Sequence, residues 1–311
     1  MASLDCMISV VIPAYKSQLT LPVLIPRLYE VLTKIASDFE VIIIDDGSPD
    51  NTWQVMKELK QMNKNLKIVR LLKNSGQHNA ILCGLGLANG EIVVTMDDDL
   101  QNSPEDIPKL VKAIHDGYDL AIASYDQKNH SPLRNLGGQC IDYVQRHIFN
   151  MPKTFQLTSF RAIRKVVVDH AVNMRAIYPY ITSMLLSHTS KYVNVPVKHQ
   201  PRLLGSSSYS ARKSLILALN LLLNYSSYPL YVVVFICLSA LIFSMLLGSW
   251  VIWKVLAVGV TVPGWASTIA GISFFNSLIL FGLVIQSLYL SRMSQQLTRS
   301  RTSFAIGEVH E

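Results

Sequence analysis

Two stretches without a charged side chain dominate the end of the chain: residues 214–253, between Lys213 and Lys254, and residues 255–291, between Lys254 and Arg292. A helix crosses the roughly 30 Å hydrocarbon core of a bilayer with about 20 apolar residues, so either stretch is long enough for one span. Pro229 divides the first into an amphipathic part, 211–227, and an unbroken apolar run, 230–253. The former predicts a helix lying in the membrane interface and the latter a transmembrane helix. After Pro263-Gly264 a second span is expected over 265–290, where Ser273, Asn276, Ser277 and Gln286 favour packing against other helices over lipid. Burial in a large soluble core is the competing explanation, but the run 230–253 exceeds the usual length of a core helix.

The charges are divided unevenly. Residues 1–169 carry 18 basic and 19 acidic side chains, residues 170–311 carry 10 and 2, and the net charge is +7. Basic residues separated by long uncharged stretches do not form the continuous cationic face that nucleic acid needs, so nucleic acid is not an expected partner. Beside apolar spans they fit anionic membrane lipids. Lys191, Lys198, Arg202, Arg212 and Lys213 precede the first span, Arg292, Arg299 and Arg301 follow the second, and only Lys254 lies between. That distribution puts both termini in the cytoplasm. Cys6, Cys83, Cys140 and Cys237 have neither metal-ligand nor disulfide spacing, which fits a reducing compartment. Met1 to Met7 lacks the basic start and cleavage site of a signal peptide.

The first 125 residues alternate β-rich runs (8–13, 40–44, 67–71, 92–96, 120–123) with helical stretches (21–37, 52–62, 79–88, 104–116). This is the pattern of an α/β fold with a parallel sheet, in which chemistry sits beyond the carboxyl ends of the strands. Pro13-Ala14-Tyr15-Lys16 follows the first strand and Asp45-Asp46-Gly47-Ser48 the second. The second cluster can act as a turn and helix cap, or as carboxylates that accept hydrogen bonds from a base or a ribose. Neither G-x-G-x-x-G nor G-K-[ST] follows any strand, so a dinucleotide fold or P-loop is not expected.

Met96-Asp97-Asp98-Asp99-Leu100-Gln101 ends the fourth apolar run. In extended geometry Asp97 and Asp99 point one way and Asp98 the other. Two carboxylates on one face call for a cation, and oxygen ligands suit Mg²⁺ or Mn²⁺ binding a substrate diphosphate. An EF-hand is excluded because Asn102 and Pro108 occupy the places of its Gly and Glu. Asn74-Ser75-Gly76-Gln77-His78 opens a helix whose N–H groups can support an anion. His78 alone reads as a capping or surface residue, and Arg134, Arg146, Arg161 and Arg164 as solvated charges.

Taken in order, Ser9-Val10-Val11-Ile12-Pro13-Ala14-Tyr15, Ile44-Asp45-Asp46-Gly47-Ser48, Asn74-x-Gly76-Gln77 and Asp97-x-Asp99-Leu100-Gln101 resemble family 2 glycosyltransferases of the GT-A fold. The C-terminal spans narrow the resemblance to polyprenyl-phosphate glycosyltransferases, such as bactoprenol glucosyltransferases and undecaprenyl-phosphate aminoarabinose transferases. It continues through residues 101–108, Phe160-Arg161-Ala162 and Gly205-x-Ser207-x-Tyr209-Ser210, nearly the whole chain.

The resemblance implies a cytoplasmic GT-A domain over 1–210, an interfacial helix over 211–227, transmembrane helices over 230–253 and 265–290, and a cytoplasmic tail over 291–311. It implies inverting transfer of one sugar from a nucleotide sugar, with a UDP-sugar the expected donor, to a polyprenyl phosphate at the bacterial inner membrane. Pro13, Tyr15, Asp45, Asp46 and Asp97 would bind the nucleotide. Asp97, Asp99 and Gln101 would hold Mg²⁺ or Mn²⁺ with the diphosphate, and Arg134 and Arg161 would face the acceptor phosphate. A homotetramer is the family's usual assembly.

Some positions depart from the pattern. Lys16-Ser17 replaces a typical Asn-Glu, Tyr125 and Gly138 stand where relatives often carry Arg and Ser, and Ser159 stands where glucosyl-transferring relatives often carry Asp. These departures motivate one alternative, a non-catalytic membrane partner that retains the fold; a second is a polysaccharide synthase, for which two spans are few and whose Q-x-x-R-W signature is absent.

Overall fold

The computed structural model describes residues 4–125, 155–174, 179–197, 264–298 and 304–311, with scattered helical positions between 232 and 257. Two compact units make up the chain. One comprises residues 1–217 together with 299–311, and the other residues 218–298.

The first unit is built on an eight-stranded sheet: β1 (Leu4–Ala14), β2 (Ala36–Asp45), β3 (Leu66–Leu71), β4 (Ile92–Thr95), β5 (Leu120–Tyr125), β6 (Arg161–Arg164), β7 (Tyr192–Val197) and β8 (Ile306–His310), in the order β7-β5-β6-β4-β1-β2-β3-β8. The central strands are apolar on both faces, and Ile8, Val10, Val11, Ile12 and residues 41–44 are inaccessible. Strands buried on both sides need helices on both sides, and parallel neighbours need crossovers to supply them. Four helices do this, α1 (Leu21–Ile35), α2 (Thr52–Met62), α3 (Gln77–Leu87) and α4 (Ile107–His115). Helix α1 buries one stripe at helical spacing, Leu21, Leu24, Ile25, Leu28, Leu32 and Ile35. Helix α3 is buried along Ala80 to Leu85 and lies so close to the sheet that a Cβ on Gly84 would collide with Val11 Cγ1.

Because β1 pairs with β2 on one side and β4 on the other, the strand order reverses there. The carboxyl ends of β1, β2 and β4 therefore open onto one crevice.

The sheet is mixed where a parallel one is expected from sequence. Strand β6 runs antiparallel between β4 and β5, and β8 runs antiparallel to β3 at the edge. Thr95 Oγ1 donates to the Ser159 carbonyl at 2.6 Å and helps seat β6. Helix α1 stops at Ile35, two residues before its expected end, because Ala36 and Phe39 are drawn into β2, where Phe39 packs edge-on against Tyr29 at 5.2 Å. Helices α5 (Lys165–Asn173) and α6 (Ile181–Leu186) complete the described α/β unit.

In the second unit, α7 (Trp265–Thr298) is a continuous helix of 34 residues. Ile272, Phe274, Ile279, Leu280, Leu283 and Leu288 are exposed along it. Counted over the described residues alone, no helix is long and apolar enough to cross a membrane. The interfacial helix expected over 211–227 lies outside the described residues, and the span expected over 230–253 is described only at scattered positions. Within the expected tail, 291–311, α7 runs on to Thr298 and Ile306–His310 forms β8.

The close approach at Gly84 yields a test of this packing. Replacing Gly84 by Val should lower stability by about 1–3 kcal/mol, the usual cost of overpacking a tight core, measured as a lower thermal unfolding midpoint of the purified protein.

Candidate active site

Three loops at the carboxyl end of the sheet converge through hydrogen bonds. Ser17 N donates to Thr52 Oγ1 at 2.8 Å, Lys16 N to Ser48 Oγ at 3.0 Å and Asp46 N to the Ala14 carbonyl at 2.9 Å, tying the loop after β1 to that after β2. Asp46 receives Ser75 N at 2.7 Å and Gly76 N at 2.9 Å on its two carboxylate oxygens. The anion held where the chain enters α3 is thus the protein's own carboxylate. Burial raises the Asp46 pKa, and the two amides pull it the other way. Between the loops, Gly47 adopts φ +65°, and a Cβ there would stand 2.9 Å from Asn74 N and Lys73 C.

Asp45 is fully inaccessible. Its Oδ1 accepts Ser48 N at 2.9 Å, while Oδ2 forms an ion pair with Arg70 Nε at 3.2 Å without hydrogen-bond alignment. Pro13 is buried at the end of β1, opposite Ile44, whereas the Tyr15 ring is 44% exposed and available to stack on a ligand.

The third acidic group follows β4. The strand ends at Thr95, so the alternation of an extended chain does not reach the acids. Asp98 nonetheless diverges from Asp97. Gln77 Nε2 donates to Asp97 at 2.6 Å, and Ser159 Oγ donates to its other oxygen. Asp98 accepts from Ser17 Oγ, across the crevice in the β1 loop. Burial, reinforced by the charges of Asp97 and Asp99, raises the Asp98 pKa to about 6. Gln101 N donates to Asp99 Oδ1 at 3.1 Å, and between them Leu100 sits at φ +63°. Among the described residues only Leu100 and Lys16, φ +59°, are non-glycine residues in the left-handed region, and both lie in these loops. Such conformations cost about 1–3 kcal/mol and cluster where function constrains the backbone.

Arg161, expected to face an acceptor phosphate, lies in β6 with 1% exposure, its Nη1 donating to Thr182 Oγ1 at 3.1 Å. Burial lowers its pKa to about 10, while the charges of Tyr180 and Asp97 favour its ionised form. His78 makes no cap hydrogen bond and is half-buried. It packs against Tyr180 at 4.9 Å with an unpartnered Nδ1, and burial, with the Arg161 charge, lowers its pKa to about 4. Arg134, Arg146 and Gly138 lie outside the described residues. Tyr125 donates its hydroxyl to Asn102 Oδ1 at 2.6 Å, bracing the loop that carries Asp99 and Gln101.

Among the described residues no three His, Cys, Asp or Glu side chains converge as a metal cage. The donor set of Asp97, Asp99 and Gln101 is all oxygen and fits a hard divalent cation, which needs only one or two carboxylates when a diphosphate and water complete its shell. Sequence reasoning missed Ser17, Arg70 and Tyr125 as partners of the acidic loops. Only Arg70 left a signal, because it stands at the end of β3 in register with Asp45.

A crevice at the strand-order reversal, lined by the loop after β1 and the acidic loops after β2 and β4 and lacking a dinucleotide glycine motif, defines a GT-A nucleotide-sugar fold. Residues 9–172 match Glycosyl transferase family 2. An undecaprenyl-phosphate 4-deoxy-4-formamido-L-arabinose transferase from Pseudomonas fluorescens is 30% identical over 97% of this chain and 89% of its own length. A protein of the same name from Pectobacterium atrosepticum is 33% identical over 72% of this chain and 68% of its own. Among solved structures, glucosyl-3-phosphoglycerate synthase from Mycobacterium tuberculosis, with Mn²⁺, UDP and phosphoglyceric acid, superposes with a TM-score of 0.54 over 70% of this chain and 78% of that one. At 17% identity this likeness establishes the fold alone. The chain belongs to glycosyl transferase family 2 and is a glycosyltransferase.

Asp46 provides a test of the site's construction. Asp46→Asn replaces one acceptor oxygen by an NH₂ group and strands one of the two amides, which should destabilise the protein by about 1.5–3 kcal/mol, the range for a hydrogen bond to a charged group. Chemical denaturation of the two proteins side by side measures it.

Proposed function

We propose that this glycosyltransferase moves one sugar from a nucleotide sugar, with a UDP-sugar the expected donor, to a polyprenyl phosphate at the cytoplasmic face of the bacterial inner membrane. The product would supply lipid-linked sugar for surface polysaccharide or lipid modification. The observation that carries this reading is the extent of similarity to the P. fluorescens undecaprenyl-phosphate transferase, 97% of the chain, which takes in the uncharged stretches as well as the α/β unit. In this reading 1–210 is the catalytic domain, 211–227 lies in the interface, and 230–253 and 265–290 cross the membrane. Lys191, Lys198, Arg202, Arg212 and Lys213 favour an anionic surface, each by about 1 kcal/mol when close to it. The protein acts as a homotetramer joined through the interfacial and membrane helices.

Pro13, Tyr15, Asp45 and Asp46 line the nucleotide pocket. Asp97, Asp99 and Gln101 hold Mg²⁺ or Mn²⁺ with the donor diphosphate, and the cation, when bound, neutralises charge on the leaving group. Arg134 meets the acceptor phosphate. Arg161, buried, contributes its charge from behind Asp97 rather than by contact. The acceptor is a phosphate monoester and is anionic at neutral pH. Its oxygen attacks the anomeric carbon, the bond from that carbon to the diphosphate oxygen breaks, and the electron pair leaves with the nucleoside diphosphate. No proton need be taken from the nucleophile, so Ser159 in place of a carboxylate is no obstacle. The protein's task is alignment and charge stabilisation, and in-line attack inverts the anomeric configuration.

The test incubates detergent-purified protein with undecaprenyl phosphate, Mg²⁺ or Mn²⁺ and a panel of nucleotide sugars that includes UDP-4-deoxy-4-formamido-L-arabinose, with lipid products identified by mass spectrometry. A single-sugar adduct that disappears with chelator is expected. A ladder of sugars would instead identify a polysaccharide synthase, and a product with retained configuration would overturn the in-line step. Asp99→Ala should lower turnover at least about 10²–10³-fold, the scale of losing one preorganised charge-stabilising group, while still fractionating with membranes.

A further inference from the structure

The end of the chain returns to the sheet beside the proposed nucleotide pocket. In β2, β3 and β8 the residues in register form a row of alternating charge, Asp45 opposite Arg70 and Arg70 opposite Glu308. Directly opposed residues share one face of a sheet, where opposite charges favour each other.

Arg70 links this row to the pocket. Its Nε pairs with Asp45 Oδ2 at 3.2 Å, its Nη2 donates to the Ser48 carbonyl at 3.2 Å, and its Cζ stands 5.8 Å from the Trp53 ring centroid. Trp53 also meets Lys57 at 5.4 Å and His310 of β8 at 5.8 Å. Glu308 lies 3.7 Å from both Lys57 Nζ and His310 Nε2. Strand β8 thus meets Trp53 through His310 and pairs Glu308 with Lys57, which lies over the same Trp53 ring as Arg70. Leu72 N donates to the Ala305 carbonyl at 2.9 Å, fixing where the strand begins.

Little of this concerns stability. All five residues of β8 are exposed, so the strand buries little apolar surface and its removal should leave the fold standing. Asp45 behaves differently. It is wholly buried, and a buried carboxylate whose cation swings into solvent is strongly disfavoured. Keeping Arg70 in place therefore keeps the 45–48 turn in place.

We propose that β8 is a positioning element for the nucleotide pocket: Glu308, through Lys57, and His310 hold the Trp53 ring against which Arg70 rests, and Arg70 holds the Asp45–Ser48 turn in its ligand-binding form. This rests on the reading above that the turn binds the donor nucleotide.

The experiment compares the wild-type protein with a chain ending at Ala305 and with full-length E308A/H310A, by hydrogen exchange and by calorimetric titration with UDP. The proposal expects the peptide covering 45–52 to exchange about tenfold faster in both variants, with exchange in α1 and α4 unchanged. It also expects UDP affinity, and the reciprocal of the donor KM, to fall about tenfold at unchanged kcat, the size of one lost charged hydrogen bond. Glu308→Asp should recover most of the loss. Unchanged exchange at 45–52, or faster exchange throughout the fold, would overturn the proposal, as would faster local exchange with undiminished UDP affinity. Should the truncated chain fail to fold, the double variant alone decides. If the wild-type protein binds no UDP, the functional reading fails, and the exchange measurement still decides whether β8 orders the turn.

Discussion

Asp46 is the residue on which the geometry of the crevice depends. Its carboxylate takes the Ser75 and Gly76 amides, and its own amide donates to the Ala14 carbonyl, so one residue ties together the ends of β1, β2 and β3. Backbone donors cannot rotate away as side chains can, and the absence of a side chain at Gly47 lets the third loop close on the second at van der Waals distance. Burial disfavours the Asp46 charge. Two charge-assisted hydrogen bonds, each about 1.5–3 kcal/mol, offset that cost. Without them the entry to α3 would lose its anion and Gln77 its fixed starting point toward Asp97.

The acids after β4 are held in a contrasting way. Asp97 and Asp98 accept side-chain hydrogen bonds from Gln77, Ser159 and Ser17, whose bonds can rotate, while Asp99 accepts the Gln101 backbone amide. Hydroxyl and amide donors can turn to other partners when a cation and a diphosphate arrive, at little cost to the backbone. The strained φ of Leu100 is maintained because its side chain is locked in the core at 4% exposure, which fixes the loop's path. In the proposed reading, a firm pocket for the nucleotide beside a more adaptable cluster for metal and diphosphate would suit a reaction in which the nucleotide stays put and the bond beyond its diphosphate breaks.

How much of this was legible in the sequence follows from what each element is made of. Helix α2 and the cores of β1 to β5 could be read because apolar periodicity alone makes them. Strand β6 could not, since a four-residue segment bounded by Arg161 and Arg164 has no apolar run and exists through pairing with β4 and β5. Strand β8 is exposed throughout and was equally silent. At the site, the acidic residues announced themselves by type and by position at strand ends. Their partners Ser17 and Ser159 did not, because a lone serine carries no spacing signal. His78 and Arg161 read as surface groups because sequence shows charge but not burial; the fold buries Arg161 beside Thr182 and half-buries His78 against Tyr180.

The connectivity of the two units bears on the membrane reading independently of hydropathy. The chain leaves the catalytic unit after residue 217 and rejoins it at 299, and its last strand enters the same sheet as its first. A segment that departs from and returns to one folded unit on one side of a bilayer must cross an even number of times. Residues 218–298 hold two uncharged runs of spanning length, separated by Lys254 and a Pro-Gly pair. In the proposed reading two crossings satisfy both requirements, and they would put Arg292, Arg299 and Arg301 on the side where the positive-inside rule expects them. The pairing of β8 into the first unit's sheet and the charge pattern of the flanks therefore both accommodate the proposed topology, although one follows from tertiary pairing and the other from lipid electrostatics.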